Sequence, residues 1–311
     1  MECYQRTIAN KITFSGKGLH SGRIVNVEIL PAQSDTGIVF QRTDTQNSDL
    51  ILANALSITS TELSTTIGRG ASSISTIEHV MAAFAGLGID NAIVRLNGPE
   101  VPILDGSAFP IARKIVDAGY RKLGACKKYL MLKEPLEIIN ENQFAILTPS
   151  ITQNITCSIE FSSSKIIGYQ NIQYSPETDS FLDISRARTF CHIKDVNNMR
   201  QQGLALGGSL QNAVVVTDTE VINKEGLRCP DEFVRHKLVD LIGDLYLLGG
   251  SLIADVKVYK PGHALHAAVT KKLLKEKDRY LAMVEIDPAY MRDEDAFTVP
   301  KNSCFPVLVY G

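Results

Sequence analysis

Apolar and polar residues alternate through 5–14 and 24–30, the period of strands covered on one face, and Ser15-Gly16-Lys17-Gly18 between them predicts a turn. The chain therefore opens as a hairpin. Further strands are predicted at 37–41 and 63–67. A helix follows: its start, Ser75-Thr76-Ile77-Glu78, has capping-box spacing, and its end falls at Gly86-Leu87-Gly88. A buried strand at 89–96, a structured loop through Asp105-Gly106-Ser107 and a helix at 108–118 complete this half. Residues 120–128 are short, basic and contain Gly124, which predicts a domain boundary. Strand patterns resume at 129–132, 136–139, 144–147 and 155–161. A polar loop over 185–195 leads into a short helix, and 213–216 reads as a strand.

The strongest helical period lies in 229–248, where Val234, Leu238, Leu241, Leu245 and Leu248 form one apolar stripe. Pro230 suits the first turn, Asp231 and Glu232 place negative charge at the positive end of the helix dipole, and Gly249-Gly250 ends the helix. His236, Asp240, Gly243 and Asp244 fall together in a separate sector. A strand at 252–259 and a basic amphipathic helix at 263–277 follow. Both halves thus share one order: strands, a Gly-terminated helix, a buried strand, a loop, a second helix. This predicts an α+β protein of two similar halves, 1–123 and 124–311, each a mostly antiparallel sheet with two helices. The helices would pack between the sheets, with a site at the seam.

Composition narrows the function classes. With 311 residues, 44% of them hydrophobic, the chain can bury two cores; a net charge of −2 gives no global field for nucleic acid. Six scattered cysteines with no Cys-x-x-Cys spacing read as reduced thiols of a cytoplasmic protein. No apolar run is long enough to span a bilayer. Dinucleotide and Walker fingerprints are missing, and His20 reads as a loop histidine.

His236 and Asp240 stand four apart on one helical face, close enough to share a metal ion or simply to form a hydrogen-bonded surface pair. A third ligand has to come from elsewhere in the chain. The Glu78-His79 pair in a first helical turn suits a base beside a ligand, and the capping box offers a purely structural role for Glu78.

The stretches Gly-Leu-His-Ser-Gly (18–22), Ile-Ser-Thr-Ile-Glu-His (74–79), Ala-Gly-Leu-Gly-Ile-Asp-Asn (85–91), Asp-Gly-Ser-Ala (105–108), Ser-Arg-Ala-Arg-Thr-Phe (185–190), Asp-Glu-Phe-Val-Arg-His-Lys (231–237) and Gly-His-Ala-Leu (262–265) occur in this order over most of the chain. In them the sequence resembles the UDP-3-O-acyl-N-acetylglucosamine deacetylase family, zinc amidases at the committed step of lipid A biosynthesis. The resemblance implies a Zn2+ held by His79, His236 and Asp240, with Glu78 as general base; the ligand types also admit Fe2+ as a substitute. It implies His263 as cationic oxyanion stabiliser and general acid oriented by Asp244, with Thr189 as a hydroxyl donor to the oxyanion. Lys237 and Lys260 would meet the phosphates of a UDP-linked acylated amino sugar, and Phe161 and Phe190 would pack on base or sugar. A monomer with no nucleic-acid partner is expected, and the acyl chain is compatible with transient membrane proximity. Where the family pattern has Asn after Gly-His-Ala-Leu, this chain has His266, close to one helical turn from His263; it would either perturb the pKa of His263 or be inert, and the inert role is the expectation.

Two other classes share parts of this residue set. A non-haem iron facial triad takes its close pair from an all-β jelly roll, whereas here the pair is helical. A non-catalytic metal-binding module would be closed by four ligands and rich in cysteine, and no cysteine is placed to help.

Overall fold

The computed structural model describes residues 2–46, 49–69, 72–162 and 164–285. The stretch from Asp287 onward, whose role the sequence left open, and Cys304 lie outside the described residues.

Two five-stranded sheets carry the fold. The first contains β1 (Ile12–Lys17), β2 (Ile24–Pro31), β3 (Ile38–Arg42), β4 (Leu50–Leu52) and β5 (Ala92–Leu96), ordered β1-β2-β5-β3-β4. The second contains β6 (Leu136–Asn140), β7 (Gln143–Thr148), β8 (Asn154–Phe161), β9 (Gly168–Tyr174) and β10 (Asp255–Tyr259), ordered β6-β7-β10-β8-β9. In each, the last strand in sequence slots into the centre, antiparallel to the second strand and parallel to the third. Val94 of β5 faces Ile29 and lies level with Phe40; Val256 of β10 faces Leu147 and lies level with Ile155. The duplication expected from the order of patterns is therefore a duplication of topology.

A helix precedes each central strand and another follows it: α1 (Glu78–Leu87) and α2 (Phe109–Ala118) in the first unit, α3 (Glu232–Leu245) and α4 (His263–Lys275) in the second. Gly88 at φ 67° and Gly249 at φ 89° take the left-handed conformation beyond α1 and beyond the short turn that extends α3, where a side chain would be strained. Helices α1 and α3 pack against each other, and α3 also lies on β8 and β9. One core runs from Val27, Ile29 and Val94 of the first sheet through Phe84 and Phe233 to Leu147, Val256 and Val258 of the second. At the crossing, a methyl on Gly243 would overlap the Glu78 carbonyl oxygen, so the missing side chain lets α3 reach the first turn of α1.

Several boundaries differ from expectation for local reasons. Ser15-Gly16-Lys17 belongs to β1, and the reversal comes at 18–23, where Gly18 and Arg23 bond and Gly22 has φ 66°. Gly16 marks a close approach instead, since its Cβ position lies 3.0 Å from Pro102. The basic stretch after α2 forms a strand, Tyr120–Cys126, paired with Tyr4–Ile8. Its exposed polar residues hid it from a pattern search. The predicted strand at 63–67 begins only at Thr66, because Leu63 adopts φ 55° and Thr65 is committed to Glu78. The run 252–259 is two strands: Ser251–Ile253 pairs with Lys128–Leu132, and β10 enters the second sheet.

Candidate metal centre

Three donor atoms converge where α1 meets α3. His79 Nε2 lies 3.5 Å and His236 Nε2 3.4 Å from Asp240 Oδ1, and all three residues are buried. The i,i+4 spacing puts His236 and Asp240 on one face, and the Gly243 contact brings His79 to them from the other unit. His236 Nδ1 is 3.2 Å from the Ala187 carbonyl, so this nitrogen donates and Nε2 keeps its lone pair toward the site. Burial pushes the His236 pKa down to about 3 against the pull of Asp240, leaving a neutral imidazole. Burial pushes the Asp240 carboxyl up, but the positive charge around it, that of Lys237 included, more than offsets this and holds it well below the usual range. Lone pairs and a carboxylate oxygen that face one another in a buried site repel unless positive charge lies among them. With their donor atoms within 4.8 Å of one another, the three suit one divalent cation with a position left for water.

Glu78 stands beside this set without joining it. The expected capping box does not form: Ile77 occupies the cap position with no side-chain bond, and Ser75 Oγ donates to the Pro99 carbonyl. The Glu78 carboxylate turns instead into the site, where Oε2 accepts the Thr65 N–H at 3.0 Å and Oε1 lies 3.8 Å from His263 Nε2. Burial raises its pKa, only partly offset by His263 and His79.

His263 opens α4 and points Nδ1 at Asp244 Oδ2, 2.8 Å away. Burial pushes its pKa down, but Asp244 and Glu78 more than offset this and raise it to about 9. Burial likewise pushes the Asp244 carboxyl up, and the two imidazoles of His263 and His266 pull it down to about 2. Thr65, which the sequence reading overlooked, ties the groups together. Its hydroxyl donates to Asp244 Oδ1 at 2.6 Å and sits 3.2 Å from His263 Nδ1. Its only advance signal was its place in a Ser/Thr cluster ahead of the Glu-His pair.

The loop 185–190 closes another side. Its backbone is fixed by Glu232, read from sequence as a dipole partner but fully buried, which accepts from Arg188 N–H, from the Arg188 side chain at 2.8 Å and from Arg228 N–H. Thr189 N–H donates to the Gly106 carbonyl at 2.8 Å. Thr189 itself follows Arg188 and precedes Phe190, whose ring lies 6.2 Å from that of His236 and 5.7 Å from that of Phe161. Lys237 Nζ donates to Asp240 Oδ2 at 3.1 Å and stands over Phe190. Lys260 pairs with Glu160 at 3.2 Å and over Tyr259, three residues ahead of His263 rather than among the converging groups. His20 lies near enough for the His263 charge to oppose its protonation, on a loop whose N–H groups at 20 and 21 are held by Glu100.

A duplicated α+β fold with two histidines and one carboxylate at its seam, flanked by a buried carboxylate and a cationic histidine, has the make-up of a metal-dependent hydrolase. The family model of UDP-3-O-acyl N-acetylglycosamine deacetylase matches residues 5–275. The chain belongs to that family. It is 45% identical over 307 residues, 98% of each chain, to a protein of Geobacter sp. (strain M21) named UDP-3-O-acyl-N-acetylglucosamine deacetylase. Proteins of the same name from Syntrophus aciditrophicus (strain SB) and Pseudomonas entomophila (strain L48) are 42% and 41% identical, over 89% and 97% of this chain and 88% and 98% of their own.

Proposed function

We propose that this chain hydrolyses the N-acetyl amide of a UDP-3-O-acyl-N-acetylglucosamine, releasing acetate at the committed step of lipid A biosynthesis. Zn2+ is the proposed ion and Fe2+ a workable substitute, since both accept imidazole and carboxylate ligands. The observation that carries the reading is the position of Glu78 and His263, a buried base and a buried cation facing each other beside three convergent metal donors.

An ion held by His79, His236 and Asp240 would act as a Lewis acid, polarising both a water and the amide carbonyl. Glu78 takes the proton of the attacking water, a task suited to a carboxylate whose pKa burial has raised. As the hydroxyl adds to the carbonyl carbon, negative charge collects on the carbonyl oxygen, and His263 and the Thr189 hydroxyl are the groups proposed to stabilise it. The C–N bond then breaks, His263 gives its proton to the leaving nitrogen, and acetate and a free amine result. Asp244 keeps His263 oriented and charged. Lys237 and Lys260 are proposed to meet the diphosphate, and Phe161 and Phe190 the base or sugar. The paired sheets support a division near 123–124, with Glu78 and His79 from one unit and the remaining ligands from the other.

No helix among the described residues is long and apolar enough to cross a membrane. A cytoplasmic monomer without a nucleic-acid partner is proposed. The test is acetate release from the UDP-linked substrate by purified protein, abolished by a chelator and restored by added zinc. Metal-replete protein that releases no acetate from it would refute the assignment.

A further inference from the structure

Asp244 serves two histidines. His266 lies one turn along α4 from His263, is 1% exposed, and places Nδ1 2.7 Å from the same oxygen, Asp244 Oδ2, that His263 Nδ1 meets at 2.8 Å. The other oxygen, Oδ1, is taken by Thr65. A carboxylate can only accept, so both imidazoles carry hydrogen on Nδ1. Their remaining nitrogens differ. His263 Nε2 faces Glu78, whereas His266 Nε2 is buried with no hydrogen-bond partner among the described residues. A second cation here would bury an unpaired N–H beside the first, with ring centroids 6.0 Å apart, so the neutral Nδ1–H form is the cheaper one for His266.

We propose that His266 is a positioning residue that shares Asp244 with His263 and thereby loosens the hold of that carboxylate on the His263 proton. The inference rests on the hydrolase reading above for its catalytic meaning, though not for its chemistry. The His266 N–H binds Asp244 more strongly when His263 is neutral and the carboxylate charge is uncompensated. It binds less strongly when His263 is cationic. The shared bond thus favours the neutral state of His263 and makes its proton easier to release to a leaving amine. The charged and titratable groups acting on His263 are Asp244, Glu78 and Asp240, which raise its pKa, and the two histidines His20 and His266. Burial lowers the His266 pKa, with Asp244 opposing, which agrees with a neutral ring. Helical spacing alone left a perturbation of His263 and an inert role both open for His266, because the shared bond depends on α4 being packed onto α3.

Histidine NMR on the full-length protein tests the proposal without reference to turnover. In the unmodified chain His266 is expected to be neutral and Nδ1-protonated at pH 7; a cationic or Nε2-protonated ring would overturn the proposal. In His266→Leu the His263 titration is expected to move up by roughly half a unit to one unit. His266→Asn, which can return an N–H to the same carboxylate oxygen, is expected to bring it most of the way back. The alkaline limb of kcat/KM should move in parallel. A folded His266→Leu protein with an unmoved or lowered His263 titration would make His266 a packing residue only. Absence of acetate release would sink the deacetylase assignment and leave the NMR result standing.

Discussion

Glu78 shows how a residue's chemistry depends on a bond it does not make. The same Ser-x-x-Glu spacing that satisfies a helix end in a capping box is present, yet Ser75 bonds elsewhere and the carboxylate is released into a buried site. With Glu78 as the proposed base, its raised pKa places the acid limb of activity above the ordinary carboxylate range, because a base must be deprotonated. The alkaline limb is assigned to His263 under the proposed mechanism. Its pKa is raised to about 9, so the cation persists through neutrality and activity that needs it falls as pH rises through that value. A pH profile of kcat/KM is expected to show both limbs. His263→Gln should remove the alkaline one and lower the rate by about 10²-fold or more, and a profile unaltered by that change would exclude this histidine. That His236 and Asp240 share one helical face was legible from the helical period, which left a shared ion and a surface hydrogen-bonded pair both open; only the resemblance pointed to the ion. Thr65 was not, since nothing local marks a threonine whose partners lie 13 and 179 residues away.

Among the elements, the crossing of α1 and α3 sets how closely His79 approaches His236 and Asp240. Ala is the better helix former by about 1 kcal/mol, so Gly243→Ala would stabilise an uncrowded helix. Here the new methyl meets the Glu78 carbonyl, and a net loss of about 1–3 kcal/mol in denaturant unfolding is expected, with weaker metal binding as His79 is pushed off Asp240. A stabilised variant with unchanged metal affinity would show that the contact is slack. The loop 185–190 depends on Glu232 in a comparable way. Glu232→Ala removes the buried carboxylate that pairs with Arg188, leaving the guanidinium Glu225 and the Gly226 carbonyl, and is expected to cost about 1–3 kcal/mol in the same assay. The sequence showed these elements but not their joints. Glu232 at a helix start looks like any dipole partner until the fold removes all its exposure.

For the whole molecule, what the sequence carried best was repetition. Two runs of strands, each followed by a Gly-terminated helix, a buried strand and another helix, became two sheets of identical strand order. The small ribbons that join them were missed or misread, as with Tyr120–Cys126, because two-stranded exposed pairs need no apolar alternation. With His79 from one unit and His236 and Asp240 from the other, an ion bound as proposed would favour the folded chain by RT ln(1 + [L]/Kd), about 2.7 kcal/mol at a hundredfold excess over Kd. Thermal unfolding is therefore expected to shift down on chelation and to recover on adding zinc. An unchanged Tm would mean that the donors are not bridged.

Whether Glu78 acts as the base from outside the metal set is decided by acetate release per metal-loaded chain in Glu78→Ala. Metal content is expected to equal that of the unmodified protein while the rate falls by about 10²–10⁴-fold. A folded, metal-replete variant that turns over at the parent rate would remove Glu78 from the chemistry.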